Sequence, residues 1–260
     1  MTEQDAPAPE PTDQPAQETK LYKHWADSFV AFDTETTGFS PAARVIEVSV
    51  LRFECGQLKT AFNTLLDPGE AVNWTSPETL GALKVNRITR EQLIGQPRFE
   101  DVFATLMMQF AASPVWVAHN KAYDLRMLKN EREIITRKYN QEYSVMVPKP
   151  KAVLDTMLLD VFLDTRPLVS RKLEEVASRW IIKTAAVQQT HRAQEDAEDC
   201  GRTLLAMLEQ RPELAQMPLR QVIEAHKKAE QAWANMRAQV YARTKGGSAK
   251  NRQARYNSPT

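Results

Sequence analysis

The stretch Phe29-Val30-Ala31-Phe32 runs without a break into Asp33-Thr34-Glu35-Thr36-Thr37-Gly38. Four consecutive apolar residues leave no polar face, so the run predicts a short strand buried at the centre of a sheet. Two carboxylates follow at once, and on an extended chain residues i and i+2 point to the same side. Asp33 and Glu35 are therefore presented together where the strand leaves the core, and Gly38 lets the chain turn sharply beyond them. Like charges held this close repel each other unless something positive lies between them. A hard divalent cation with oxygen ligands meets that need. A solvated strand end carrying two acids is the plain alternative.

The rest of the chain supplies the layers such a strand requires. Arg44 to Glu54 is rich in β-formers; Cys55-Gly56-Gln57 turns it into Leu58 to Leu66, and Asp67-Pro68-Gly69 stops that strand, a hairpin pattern. Phe99, Val102, Phe103, Leu106, Met107 and Phe110 form a helical stripe after Pro97. Val115 to Ala118 reads as a second buried strand and Lys121 to Lys138 as a charged amphipathic helix. Ala152 to Leu154 is a third short strand, followed by helices near Thr156–Leu163, Arg171–Trp180 and Gln194–Leu208. Strands joined tightly and then alternating with helices predict an α/β fold with a mixed sheet. Sites in such sheets lie at the carboxyl ends of strands.

Two more acidic constellations sit at such places. In Val117-Ala118-His119-Asn120-Lys121-Ala122-Tyr123-Asp124 a buried strand ends and a helix begins with an acid in its first turn. Helix-dipole complementarity alone accounts for an acid there. In His191-Arg192-Ala193-Gln194-Glu195-Asp196 a histidine just outside a helix has the freedom a general base needs, and Asp196 is fixed on the helix. An acidic first turn is the plain alternative, since Glu195, Glu198 and Asp199 crowd the same segment. Asp199 rivals Asp196, and Asp155 reads as a helix N-cap or as a group supporting the site.

Charge is segregated along the chain. The formal net charge is +1, yet residues 1–19 carry five acids and no Lys or Arg, while residues 220–260 carry nine basic residues and two acids. Near-neutrality therefore does not exclude a nucleic-acid partner. The Pro-rich acidic start and the Gly/Ser/Asn/Lys/Arg-rich end are expected to be disordered. Cys55 and Cys200 form neither a metal-like spacing nor a disulfide framework. The longest apolar-leaning run, Ala111 to Ala118, is far short of the ~20 residues of a membrane span. The N-terminal stretch lacks the basic and apolar regions of a secretory signal, so a cytoplasmic protein is expected.

Taken together, Asp33-Thr34-Glu35-Thr36-Thr37-Gly38, then His119 to Asp124, then His191 followed by Asp196 resemble the three motifs of the DEDD exonucleases. The branch is the DnaQ-like one with histidine in the third motif, typified by the proofreading subunit of bacterial DNA polymerase III. The resemblance spans about Ser28 to Leu208. It implies a ribonuclease-H-like fold with a five-stranded mixed sheet flanked by helices, joined here by a C-terminal helix. It implies that Asp33, Glu35, Asp124 and Asp196 hold two Mg²⁺ or Mn²⁺ ions, that His191 is the general base, and that Thr36, Phe39, Val85 and Tyr123 line the terminal nucleotide's pocket. Two departures fall on that pocket rather than on the carboxylates: Asn86-Arg87 stands where many members have His-Gly, and Tyr123 where Phe is common.

The expected organisation is a tail over 1–19, an exonuclease domain over 20–211, a helical extension over 212–243 and a basic tail over 244–260. The implied reaction is hydrolysis of the terminal phosphodiester at the 3′ end of single-stranded or frayed DNA, releasing nucleoside 5′-monophosphates. An RNA-trimming exonuclease and a catalytically silent nucleic-acid-binding or polymerase-associated module are the alternatives. Val222, Ala225, Ala229, Trp233, Met236 and Val240 form a stripe on the C-terminal helix. That stripe either packs back on the domain or docks a partner such as a polymerase subunit.

Overall fold

A computed structural model of the chain describes residues 24–140, 143, 146–164, 170–181 and 191–245, with side chains as far as residue 238. The acidic tail over 1–19, the basic tail beyond residue 245 and the polar run Gln188-Gln189-Thr190 lie outside the described residues.

Five strands form one mixed sheet: β1 (Ser28–Thr36), β2 (Val45–Glu54), β3 (Gln57–Leu65), β4 (Val115–Ala118) and β5 (Ala152–Asp155), in the order β3-β2-β1-β4-β5. The first three pair antiparallel, while β1–β4 and β4–β5 are parallel. The helices are α1 (Pro77–Asn86), α2 (Arg90–Leu93), α3 (Phe99–Ala111), α4 (Lys121–Tyr139), α5 (Thr156–Leu163), α6 (Leu173–Trp180), α7 (Ala193–Gln210), α8 (Pro212–Gln216) and α9 (Leu219–Lys245). The α/β class, the mixed sheet and its flanking helices are as expected. The short α1, α2 and α8 are additions.

β1 differs from the sequence expectation in one consequential way. It continues past the apolar run to Thr36, with Asp33 opposite Ser49 and Glu35 opposite Glu47 on β2. The acids are thus held by the ladder in the strand's last residues, on the shared side that an extended chain gives them. Strand periodicity then sorts β1 between two layers. Phe29 and Ala31 pack in a core with Ala197, Cys200, Leu204 and Met207 of α7. Val30 and Phe32 pack in the opposite core with Phe103, Leu106 and Phe110 of α3 and Met127 and Ile135 of α4. Residues of odd number on β1 face α7, and those of even number face α3 and α4.

The C-terminal helix packs back on the body. Val222, Ala225 and Ala229 are buried, and Ala229, Trp233 and Met236 lie against Leu158 and Val161 of α5. His226 of α9 accepts a hydrogen bond from Asp155 N at 3.0 Å. Burial pushes its imidazole down to about 3, which keeps it neutral and able to accept. Val222 thus joins the core around α7, Ala229, Trp233 and Met236 rest on α5, and the helix runs on to Lys245. The side chain of Val240 lies outside the described residues. Among the described residues no helix is long and apolar enough to cross a membrane.

The fit of α7 on the sheet depends on Gly201. A Cβ there would overlap the Phe53 ring, meeting Cζ at 2.6 Å. Phe53 cannot retreat, because it is buried and stacked on Phe29 with centroids 5.0 Å apart. Gly201→Ala is expected to lower unfolding free energy despite alanine's helix preference, overpacking costing about 1–3 kcal/mol against a propensity gain of about 1 kcal/mol. Urea unfolding checks this.

Candidate active site

The alternation along β1 aims its two acids at one helix. Asp33 and Glu35 have odd numbers and face α7, and Asp196 lies in that helix's first turn. A carboxylate oxygen from each of Asp33, Glu35 and Asp196 lies within 4.8 Å of the others. All three side chains are half-buried.

Asp124 reaches the same strand from the other layer. It is buried in the first turn of α4 and accepts hydrogen bonds from Thr34 N at 3.0 Å and Thr34 Oγ1 at 2.6 Å. β4 pairs with β1 only at Val30 and Ala31 and ends at Ala118, so the Thr34 N–H lies beyond the parallel ladder. A carboxylate takes the place of the missing strand partner. Asp124 is not part of the three-acid group. Its charge is nevertheless the largest electrostatic influence on Asp33 after burial.

Electrostatics marks the cluster as short of positive charge. Burial, then the charges of Asp124 and Glu35, holds the Asp33 carboxyl well above the usual carboxylate range. Burial, followed by the charges of Asp196, Glu47 and Asp124, pushes Glu35 up to about 9, with a hydrogen bond from Asn86 acting in the opposite sense. Burial pushes Asp124 up to about 7 against the two Thr34 hydrogen bonds, and burial with the charges of Asp199 and Glu195 pushes Asp196 up to about 7. Hard oxygen donors converging under mutual repulsion fit a divalent cation such as Mg²⁺ or Mn²⁺.

His191 is half-buried immediately before α7, in the left-handed backbone region at φ 50°. It is not one of the clustered ligand groups. His119 has a structural place: its ring is tied to Thr156 Oγ1 at 2.9 Å and to Arg171 O at 2.8 Å. The carbonyl can only accept, so Nε2 carries the proton and Nδ1 accepts from the threonine. Asp155 does cap α5, through Met157 N at 2.9 Å, and also takes Asn120 N and Lys121 N at the start of α4. One carboxylate thus secures the helix that bears Asp124.

The residues expected to line a pocket lie on one side of this cluster's strand. Thr36 Oγ1 and Tyr123 OH both donate to Gly38 O at 2.8 Å and touch each other. The Phe39 ring is 74% exposed and lies 5.5 Å from that of Tyr123. Val85 is exposed on α1, beside Asn86, whose Nδ2 donates to Thr36 O at 3.2 Å. The Gly38–Ser40 turn is held by Glu78 Oε1, which accepts from Phe39 N and Ser40 N at 2.6 Å each. Arg126 lies over the Tyr123 ring, 5.4 Å from its centroid.

Sequence reasoning passes over the roles of Glu47, Arg192 and Glu78, and marks Asn86 only as a departure from the family pattern. Glu47 carries a signal: it is the one acid inside the apolar run Val45-Ile46-Glu47-Val48, where a charge requires a partner. Asn86 does part of what the departure from His-Gly left open, since its Oδ1 also accepts from Ile88 N at 3.1 Å. Arg87 takes the left-handed helix cap, φ 57°, that glycine would occupy without strain.

The exonuclease family RNase T matches residues 30–203, more than half of the chain, and the chain belongs to that family. DNA polymerase III subunit epsilon of Treponema pallidum is 29% identical over 191 residues, covering 72% of this chain and 79% of that protein. DNA polymerase III PolC-type of Clostridium perfringens is 30% identical over 173 residues, covering 66% of this chain and 10% of that much longer protein. Among solved structures, Exonuclease X in complex with 5′ overhanging duplex DNA superposes with a TM-score of 0.50 at 20% identity, over 71% of this chain and 93% of that one. The fold is thus that of the ribonuclease-H-like exonucleases, and the chain carries a nuclease hydrolase domain.

Raised carboxyl groups have a thermodynamic sign. The fold favours their protonated forms, so without a cation stability is lost as pH rises from about 4.5, the ordinary value for Glu35, to about 9, its value here. In EDTA, Tm is expected to fall across this window. Mn²⁺ or Mg²⁺ at ~100 Kd should restore about 2.7 kcal/mol, or roughly 5–10 °C, with the larger gain at the alkaline end. Asp33→Asn should raise the metal-free Tm at pH 8 and shrink the cation-induced gain. Differential scanning fluorimetry reads all three.

Proposed function

We propose that the chain is a metal-dependent 3′–5′ exonuclease that removes nucleoside 5′-monophosphates from single-stranded or frayed DNA. The convergence of Asp33, Glu35 and Asp196 within 4.8 Å, in a chain of this family, carries the proposal. In this reading Asp33, Glu35, Asp124 and Asp196 hold two Mg²⁺ or Mn²⁺ ions. When bound, such ions neutralise charge on the phosphoryl oxygens and activate the nucleophile.

The chain's own residues supply the rest. His191 takes a proton from the attacking water; it stands just before α7, five residues ahead of Asp196. Phe39 and Val85 are exposed apolar surfaces for the terminal base and sugar, and a stacking ring tolerates any base. Thr36 and Tyr123 shape the pocket floor through Gly38 O. Arg126 places a guanidinium beside Tyr123, where the scissile strand's phosphates would pass.

DNA is favoured as substrate because the relatives named above are DNA polymerase III proteins. A contact with a polymerase would use the solvent face of α9, since Ala229, Trp233 and Met236 of its stripe pack against α5.

Incubation of 5′-labelled DNA and RNA oligonucleotides of one sequence with Mn²⁺ tests the proposal. A ladder descending from the DNA 3′ end is expected. Faster shortening of RNA would reassign the substrate, and an absence of shortening would overturn the reading. Asp33→Ala should retain its fold by circular dichroism yet fall below about 1% of wild-type activity, a larger loss than the 10–100-fold typical of groups that only support a ligand.

A further inference from the structure

Glu47 is fully buried on β2, directly opposite Glu35 on β1, and opposed residues of antiparallel strands share a face. A fourth acid on the α7 side of the sheet worsens the repulsion there, and Glu47 adds to the upward push on Asp33, Glu35 and Asp196. Such a group persists when it is paired and fully hydrogen-bonded. Arg192 grips it with Nε on Oε2 at 2.9 Å and Nη2 on Oε1 at 2.8 Å. Ala193 N donates to Oε2 at 3.1 Å and Asn63 Nδ2 to Oε1 at 3.2 Å.

These contacts lie at a junction that lacks its own support. No side chain of the N-cap residue caps α7, and His191 enters it in a left-handed conformation. Glu47 provides the cap from the neighbouring strand by accepting from Ala193 N. The Arg192 carbonyl in turn accepts from Asp196 N at 3.0 Å. One acid on β2 therefore fixes the side chain of the residue after His191, the first amide of α7, and through Arg192 the backbone of Asp196.

We propose that the Glu47–Arg192 pair is the positioning device that sets His191 and Asp196 against Asp33 and Glu35, and that its loss slows the chemical step through His191. The proposal rests on His191 being the base in the nuclease reading. Arg192 acts through its bidentate fork and carbonyl geometry, so a point charge replaces it incompletely.

The test uses the full chain with Mn²⁺ and a 5′-labelled DNA oligonucleotide, the protein in excess for single turnovers and the oligonucleotide in excess for kcat and KM. Arg192→Gln is expected to lower kcat by about 10–100-fold with KM changed less than about threefold. Arg192→Lys should recover part of that loss. The double variant His191→Ala/Arg192→Gln should be no more than about threefold slower than His191→Ala alone, as coupled residues require. Glu47→Gln keeps shape and the two contacts on one oxygen, sets an amide NH2 against the donors that met the other, and loses the charge pair; it serves if Arg192→Gln melts below the assay temperature and should give the same non-additive loss. Full additivity with His191→Ala, a loss confined to KM, or unchanged kcat in a folded variant would each overturn the proposal. A wild-type chain that shortens no 3′ end would instead fail the nuclease reading, whereas an active wild type with a slow His191→Ala variant and an unaffected Arg192→Gln variant would fail this proposal alone.

Discussion

Repulsion among carboxylates on a central strand is the constraint around which the rest of the molecule is arranged. Asp33 and Glu35 cannot retreat from each other because the β1–β2 ladder fixes their spacing. Asp196 is brought to them by a helix whose packing tolerates no Cβ at Gly201. Arginines that flank the strand are committed elsewhere: Arg192 is locked on Glu47, and Arg44 is locked on Glu131 in a matching bidentate pair. Among the described residues, the scaffold balances these structural acids with arginines and gives the three clustered ones no such pair. That division separates groups that hold the fold from groups that are available to a cation.

Much of the fold was legible because strands and long helices leave periodic traces. Phe29 to Phe32, Val115 to Ala118 and the stripe from Phe99 to Phe110 were each readable from local pattern, and all became elements of the expected kind. α1 was not, because it lies on the surface: among its residues only Thr79 and Asn86 are buried, so no apolar stripe betrays it. Its start was encoded in Ser76-Pro77, a capping residue followed by a proline at the first helical position, a signal independent of burial. The true extent of β1 was hidden for a similar reason. Asp33 to Thr36 are polar, and only the partner strand keeps them extended.

The candidate site was legible in its acids, three of which the fold gathers within 4.8 Å, and illegible in their supports. Three motifs place acids at strand ends and helix starts, and local sequence is enough to see that. The partners that hold them are distant along the chain: Thr34 and Asp124 are 90 residues apart, and Glu47 and Arg192 are 145 apart. No periodicity connects such pairs. What sequence does offer is the anomaly of a lone acid in an apolar strand. Glu47 shows what that anomaly signifies: a buried charge demands a cationic partner, whose position along the chain the local pattern leaves open.

The two acids on helices approach β1 from opposite layers, Asp196 on α7 and Asp124 on α4. The spacing of Asp124 from the three clustered acids is therefore set by how two separately packed cores are registered on one sheet. A sliding of either layer would change the distance between Asp124 and Asp196. The site works as a vernier between the layers. Substitutions deep in either core, far from any acid, would be read there as changes in the spacing of the carboxylates while leaving the fold recognisable.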